Sequence, residues 1–175
     1  GPKIDIQMKN ANGKEDTAFT VQYDFCMPDR FNMTYTGPDG TQKPAFVVHR
    51  SSIGAIERLM AFLIDHYAVA FPLCLAPVQS KVIPVSEKQA DYAKEIFTQL
   101  RGAGIRVELD DSAETLGKRI RNGKVEKVPY LLVVGDEEKQ DGTLSAEGRS
   151  GKLGKMPVQA FVDCIQKEIK TRALS

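Results

Sequence analysis

The sequence predicts an α+β protein made of two unlike parts. Up to about Arg50 the apolar residues recur with a period of two, which indicates antiparallel strands. From Ile53 to Tyr67 they recur every three or four residues, which indicates an amphipathic helix. Beyond that helix the two patterns alternate in the order β-α-β-α-β-β-α, which predicts an α/β part with a mixed sheet.

The strands of the first part are marked by alternating apolar residues. We expect them over residues 4–8, 19–27, 31–35 and 45–49. In the second of these strands Thr20, Gln22 and Asp24 point away from the apolar row, because successive side chains of a strand alternate between its faces. The polar face is either a solvated outer surface or the floor of a substrate site, and alternation alone allows both.

The helix predicted over 53–67 follows Ser51 and Ser52, either of which would serve as its N-cap. We expect its apolar stripe to be core. The other face carries Gly54 one turn before Arg58, where a helix prefers Ala by about 1 kcal/mol. This pair suits a flat or anionic ligand, since Arg offers a forked donor; a solvated Arg beside a tolerated Gly is the alternative.

The second part opens with a strand near 79–85 and a helix whose start, Ser86 to Gln89, matches a capping box. Glycines at 102 and 104 end that helix before a strand over 105–109. A shorter helix over 116–123, a fully covered central strand over 130–134, a hairpin into 143–149 and a last helix after Pro157 complete the prediction.

Composition excludes several classes of protein. With 24 Lys+Arg against 23 Asp+Glu, the net charge of +1 in 175 residues excludes binding of nucleic acid by bulk electrostatics, although not by a local patch. The longest mostly apolar stretch, residues 68–78, contains two prolines, so we expect no membrane-spanning helix. The 3 cysteines form no C-x-x-C pair, which favours a reducing, cytoplasmic location. The absence of an initiator Met suggests that the chain starts inside a longer protein.

Short motifs follow one another along the chain. In the first part they are Gly1-Pro2-Lys3-Ile4-Asp5, Thr20-Val21-Gln22-Tyr23-Asp24-Phe25, His49-Arg50, Ile53-Gly54 with Glu57-Arg58, and Leu75-Ala76-Pro77-Val78-Gln79. In the second part they are Gly104-Ile105-Arg106-Val107, Lys118-Arg119-Ile120-Arg121, Val128-Pro129-Tyr130 and Val134-Gly135-Asp136-Glu137-Glu138. In this order the motifs closely resemble the threonyl-tRNA synthetase family of class II aminoacyl-tRNA synthetases, over essentially the whole chain.

The resemblance implies a fold and an activity. Residues 1–72 would be the end of the antiparallel catalytic sheet with the motif 3 helix, and residues 73–175 an anticodon-binding domain. In that family ATP activates threonine as an adenylate, which is then transferred to tRNA. The implied partners are therefore threonine tRNA, ATP with Mg²⁺, threonine and, in the full-length enzyme, a second copy in a homodimer. Class II motifs 1 and 2 are absent, so this fragment alone is predicted to be inactive.

The resemblance also implies active-site residues in the first part. Arg58 matches the motif 3 arginine that contacts the ATP phosphates, and Lys3 matches a lysine near the reacting carboxylate and phosphate. Thr20 and Gln22 match residues that line the substrate and ATP pocket, and Gly54 matches the position that lets the nucleotide lie close.

A metal site is implied in the same way. His49 matches the histidine that, with an upstream Cys and His, holds the catalytic zinc of the family. A zinc ion with an open position can take both the amino and the hydroxyl group of threonine, which valine cannot match. We therefore expect His49 to supply one zinc ligand, and its two partners to lie before Gly1.

Four residues of the second part fall where the family contacts anticodon nucleotides. Arg119, Arg121 and Lys127 would approach phosphates or base edges, and the Glu138 carboxylate would accept from base amino or imino groups. Without the resemblance, the segment from 118 to 127 would be interpreted as a solvated basic helix face.

Two other hypotheses remain open. The first is a non-enzymatic tRNA-binding module or synthetase paralogue that uses only the anticodon-type domain. Bulky Phe19 and the acidic Glu147 favour it, since both depart from the family pattern, as does Ala113. The second is a small α/β ligand-binding or redox domain, which the order of elements alone suggests and which lacks both a C-x-x-C pair and a phosphate-binding loop.

Overall fold

The computed structural model describes residues 1–173. The chain divides into two compact units, Gly1–Ala68 and a second unit that begins at Val69. The predicted α+β class is confirmed, since both strands and helices are present throughout. Within residues 1–173 no helix is both long and apolar enough to cross a bilayer.

The first unit contains an antiparallel three-stranded sheet, a small two-stranded sheet and two helices. The sheet has the order β1-β2-β5, and β3 pairs with β4. The strands are β1 (Lys3–Lys9), β2 (Glu15–Asp24), β3 (Thr34–Thr36), β4 (Gln42–Pro44) and β5 (Val47–Arg50), and the helices are α1 (Cys26–Arg30) and α2 (Ile56–Tyr67).

The strand predicted over 19–27 ends earlier than expected. It stops at Asp24, and residues up to Arg30 form α1 instead. The cause is the Asp24 carboxylate, whose Oδ1 accepts the backbone N–H of Cys26 at 2.9 Å and of Met27 at 3.1 Å. Such bonds from a short acidic side chain favour a turn over continued strand pairing. Because the apolar residues continue to alternate through the turn, the sequence pattern did not reveal where the strand ends.

The start of α2 also differs from the prediction. Neither Ser51 nor Ser52 is the N-cap; Ala55 occupies that position, and the helix starts at Ile56. The Ser51 Oγ instead accepts the N–H of Gly54 at 2.7 Å. Gly54 therefore lies in the preceding turn with φ +71°, not on the helix, and a Cβ there would lie 2.4 Å from the Ala18 carbonyl oxygen. The backbone itself requires glycine at this position.

The prediction that the apolar stripe of α2 is core is wrong within residues 1–173. No residue of α2 is buried, and Ile56 is 69% exposed. The apolar face of β1 is open as well, with Ile4 66% exposed. Leu73 is the first of the fully buried hydrophobic residues in the sequence, so the first unit has apolar faces without a covering layer in the part of the chain described.

The second unit is built on a five-stranded mixed sheet with the order β10-β9-β8-β6-β7. Strand β6 is parallel to both β7 and β8, whereas β8–β9 and β9–β10 are antiparallel, which confirms the predicted mixed sheet. The strands are β6 (Ser80–Pro84), β7 (Val107–Leu109), β8 (Tyr130–Val134), β9 (Thr143–Gly148) and β10 (Gly151–Pro157), and the helices are α3 (Ala90–Gly102), α4 (Leu116–Val125), α5 (Asp136–Asp141) and α6 (Val158–Thr171).

The core of this unit follows from the predicted strands and helices. The capping box is present, since the Ser86 N–H donates to Gln89 Oε1 at 3.0 Å, and one turn of 3₁₀ helix leads into α3. Leu132 and Val134 of the central strand are fully buried against Ile96 and Phe161 of the covering helices. Burying these side chains supplies the main stabilisation of the unit, at about 1.5–3 kcal/mol each.

Two elements were not predicted. Helix α5 lies between β8 and β9, and β10 follows β9, so the observed order is β-α-β-α-β-α-β-β-α. Helix α5 is short and polar and has no apolar periodicity, but its three acidic residues in the first turn suit the positive end of a helix dipole. Gly142 ends it with φ +67°. Strand β10 is rich in Gly and Lys and lacks the alternation that marks a strand.

Candidate functional site

The sheet of the first unit brings four predicted site residues to one face. Lys3 is opposite Gln22 on β2, and Gln22 is opposite His49 on β5, so the three form a row across the sheet. Thr20 lies two residues before Gln22 and therefore shares its face. Since neighbouring strands are about 4.8 Å apart, Lys3 and His49 lie about 10 Å from each other across this row.

Lys3 and Thr20 are linked by an acidic residue that the sequence analysis did not single out. The Lys3 Nζ lies 2.8 Å from Asp5 Oδ2, and the Thr20 hydroxyl donates to Asp5 Oδ1 at 2.7 Å. These bonds, first from Lys3 and then from Thr20, hold the pKa of Asp5 below its ordinary value. The ammonium group is thus kept over the polar face, and the Lys3 side chain as a whole is 61% exposed.

His49 is held by a second acidic residue on the same face. Its Nε2 lies 3.0 Å from Asp24 Oδ2, and hydrogen bonds from the Met27 N–H and from His49 lower the pKa of Asp24. A carboxylate that orients an imidazole is common around zinc ligands. However, within residues 1–173 no three side chains of the ligating types come together, so the described residues do not by themselves hold a metal ion. The zinc role of His49 stays a prediction.

Arg58 approaches the sheet from α2. Its Nη1 donates to the Thr17 carbonyl oxygen at 3.1 Å, three residues along β2 from Thr20. The side chain is exposed, and its remaining N–H groups have no acceptor among residues 1–173. A guanidinium that is fixed by one hydrogen bond, with its other N–H groups free, can bind a phosphate by donating two parallel hydrogen bonds.

The predicted tRNA-binding residues of the second unit occupy unlike environments. Arg119 is only 5% exposed, and its guanidinium donates to the carbonyl oxygens of Asp110 at 3.0 Å and Val85 at 3.5 Å. Arg121, two residues further along α4, is exposed and has no acidic partner in the described chain. Arg119 therefore joins the loops that follow β6 and β7, whereas Arg121 faces solvent.

Lys127 lies beside a pocket of about 300 Å³ in the second unit. The pocket is also lined by Lys124, Glu147 and Arg149. The Arg149 guanidinium donates to the carbonyl oxygens of Lys127 and, at 2.6 Å, of Phe71, so it is a fixed cation. Lys127 has φ +58°, and its side chain has no acidic partner among residues 1–173. Three cations and one carboxylate give this pocket a positive balance.

Glu138 lies on α5 with both carboxylate oxygens engaged. Oε2 accepts the Gly135 N–H at 2.9 Å, and Oε1 accepts the Ser145 hydroxyl at 2.7 Å. Burial acts to raise the pKa of Glu138, but the bonds from Ser145 and Gly135 outweigh it and hold that pKa below the ordinary value. Ser145 and Glu147 are two residues apart on β9, so Glu138 and the pocket lie along one face of that strand.

The structure adds residues that sequence reasoning missed. Asp5 shares a face with Lys3 by simple alternation, so its role was open to prediction from that signal. Arg149 and Lys124 had no such signal, because their positions around one pocket depend on how α4 packs beside β9.

A model of a protein family described as "Anticodon binding domain" matches residues 79–168, which span the sheet and most of α6. Among solved structures, a crystal structure of the RNA binding domain of threonyl-tRNA synthetase from Cryptosporidium parvum Iowa II superposes with a TM-score of 0.83 at 30% sequence identity. The match covers 96% of this chain and 43% of that one.

Curated relatives are similar over nearly the whole chain. Threonine–tRNA ligase of Clostridium perfringens (strain SM101 / Type A) is 49% identical over 173 residues, or 98% of the chain. The threonine–tRNA ligases of Thermotoga neapolitana and Thermus thermophilus are each 46% identical over 175 residues. The chain spans 27% of the length of each of these relatives.

Proposed function

The chain belongs to the anticodon binding domain family, and from this premise we propose that its second unit binds the anticodon loop of a threonine tRNA. The observation that carries the proposal is the exposed pair of cations, Arg121 on α4 and Lys127 beside the Glu147 pocket, in the same unit where Glu138 of α5 accepts the Ser145 hydroxyl of β9. Single-stranded RNA loops are recognised by cations on phosphates together with polar groups on base edges. This surface offers both.

The four predicted contact residues then divide by task. Arg121 and Lys127 make the direct contacts to RNA, because their charged groups are free. Arg119 is too buried to reach a phosphate without breaking its bonds to Asp110 and Val85, so it acts by positioning those loops. Glu138 can receive a base amino group only on lone pairs that Gly135 and Ser145 leave open.

For the first unit we propose a part in the attachment of threonine to tRNA in the full-length enzyme. Arg58 would bind the phosphates of ATP, which carries Mg²⁺, through the guanidinium N–H groups not used by Thr17. Lys3, Thr20 and Gln22 would face the substrate from the polar side of the sheet. Threonine as substrate, a zinc ligand role for His49, a homodimer and a cytoplasmic location belong to the same proposal.

A binding titration tests the anticodon proposal. A fluorescent stem-loop with a threonine anticodon is expected to bind the chain more tightly than the same stem-loop with an unrelated anticodon. Arg121→Ala should weaken both and reduce the salt slope by about 0.7, the value for one single-strand phosphate contact.

Arg101→Ala is the matched control, since Arg101 is an exposed cation on α3 without a described acidic partner, and it should change neither affinity nor slope. Equal binding of the two anticodons, or equal effects of the two arginine substitutions, would contradict the proposal.

A further inference from the structure

The pocket beside α4 is lined by an acidic residue, Glu147, as well as by cations. The Glu147 Oε1 lies 2.6 Å from the Lys124 Nζ, so this carboxylate competes with any other anion for the Lys124 ammonium. The Glu147 side chain is 23% exposed and the Lys124 side chain 55%. Because the Lys124 ammonium is open to solvent, this pair resembles surface ion pairs, which contribute only about 0–1 kcal/mol, and Lys124 can exchange its partner at modest cost.

A second cation is available to the same carboxylate. Lys152 on β10 is the residue directly opposite Glu147 in the antiparallel pair. Side chains of directly opposed residues lie on one face with their Cβ atoms about 5 Å apart. Lys152 is exposed and has no acidic partner among residues 1–173. Glu147 thus lies between two lysines and bonds one of them.

We propose that Glu147 is an exchangeable carboxylate, which pairs with Lys124 in the free chain and moves to Lys152 when an RNA phosphate binds Lys124. This inference rests on the proposed function of the second unit and names how its phosphate site is regulated. Lys127 and the fixed Arg149 guanidinium complete the site for the incoming phosphate. The lost Lys124 bond is replaced, so no carboxylate is left unpaired beside the phosphate.

The exchange has consequences for affinity. Before RNA binds, Glu147 neutralises Lys124 and repels other anions, so weak or isolated phosphates are disfavoured. An RNA loop that contacts several cations at once overcomes this competition. Glu147 then acts as a filter in favour of multivalent RNA over single anions.

Three variants test the exchange with the anticodon stem-loop. Glu147→Gln should bind about threefold to tenfold more tightly at low salt, because the competitor is gone. Lys124→Gln should weaken binding and remove the benefit of Glu147→Gln in the double variant. Lys152→Gln should weaken binding in the wild-type background but not in the Glu147→Gln background, because its only task is to receive the carboxylate.

The outcomes separate this inference from the anticodon proposal. If the stem-loop binds but Glu147→Gln leaves affinity unchanged, or Lys152→Gln weakens both backgrounds equally, the exchange is wrong while RNA binding stands. If no RNA binds, inorganic pyrophosphate is the second probe, followed through the amide NMR signals of Gly148 and Gly151 in Glu147→Gln and wild type. A stronger response in the variant supports the exchange, and equal or absent responses overturn it.

Discussion

Gly54 lies in the turn before α2, where the backbone leaves no room for a side chain. Its φ of +71° and the Ala18 carbonyl oxygen, 2.4 Å from the place of a Cβ, both exclude larger residues. The turn leads into α2, from which Arg58 reaches the start of β2 and donates to the Thr17 carbonyl oxygen. A sequence pattern shows only that a glycine precedes an arginine by four positions, so its place outside the helix required the structure.

Gly54→Ala is expected to destabilise the first unit more than Gly40→Ala. Gly40 has the same backbone conformation, φ +72°, but open space around it, so its substitution costs only the left-handed strain of about 1–2 kcal/mol. Gly54→Ala adds the overlap with Ala18, worth about 1–3 kcal/mol more. Hydrogen exchange of first-unit amides in the whole chain measures the loss of stability in each variant. Equal losses in the two variants would show that the close approach to Ala18 does not matter.

Glu138 gives the second unit a dependence on pH. Its folded-state pKa is lowered, so the stability it contributes is present above the pKa of an unfolded glutamate and is lost as pH falls below about 4.5. Glu138→Gln should therefore cost about 1 kcal/mol at pH 7 and less at pH 3, because the contribution decreases as pH falls toward the folded-state pKa. Denaturant unfolding at the two pH values checks this. A cost that is the same at both would mean that the ionised carboxylate is not what Ser145 and Gly135 stabilise.

At the scale of the element, strand β6 carries a buried cation, Lys81. The Lys81 side chain is 9% exposed, with its Nζ 2.5 Å from Glu126 after α4 and 3.4 Å from Glu108 on β7. Burial acts to lower the pKa of Lys81, but the two acids overcome it and raise that pKa. One lysine thus ties the strand to its neighbour and to the end of α4, next to the turn that presents Lys127.

The two ends of this ion pair should respond unequally to substitution. Glu126→Gln leaves a buried ammonium with only the longer contact to Glu108 and should cost about 1–3 kcal/mol. Lys81→Met should cost less than about 1 kcal/mol, because both glutamates are about half exposed and can return to water. Urea titrations of the two variants measure the difference, and a larger loss for Lys81→Met would contradict the asymmetry.

At the scale of the whole molecule, the features that depend on residues close together in the sequence were predicted correctly. The capping box at Ser86, the central strand at 130–134 and the mixed sheet are confirmed, as is the resemblance to threonyl-tRNA synthetases, now supported by 49% identity over 173 residues. Predictions that needed packing information were less complete. Two positions along α4 turn the side chain by about 200°, so the motif that contains Arg119 and Arg121 does not reveal which of them is buried.

The prediction that the apolar stripe of α2 is core was wrong for a related reason. Periodicity shows that Ile56 and Met60 share a face, but it does not show whether the described chain supplies a layer to cover that face. The zinc role of His49 stays a prediction, since no group of three ligating side chains comes together within residues 1–173 to test it. A motif predicts which residue type occupies a position. It does not predict which neighbouring side chains the fold brings together to complete a binding site.

The central claim is that RNA binds the surface formed by α4 and the β9–β10 hairpin. Amide NMR spectra of the labelled chain, recorded during titration with the threonine anticodon stem-loop, test it most directly. We predict shifts concentrated in residues 118–127 and 143–152, with first-unit signals unchanged. Shifts confined to other segments, or none at RNA concentrations that saturate a filter assay, would contradict it.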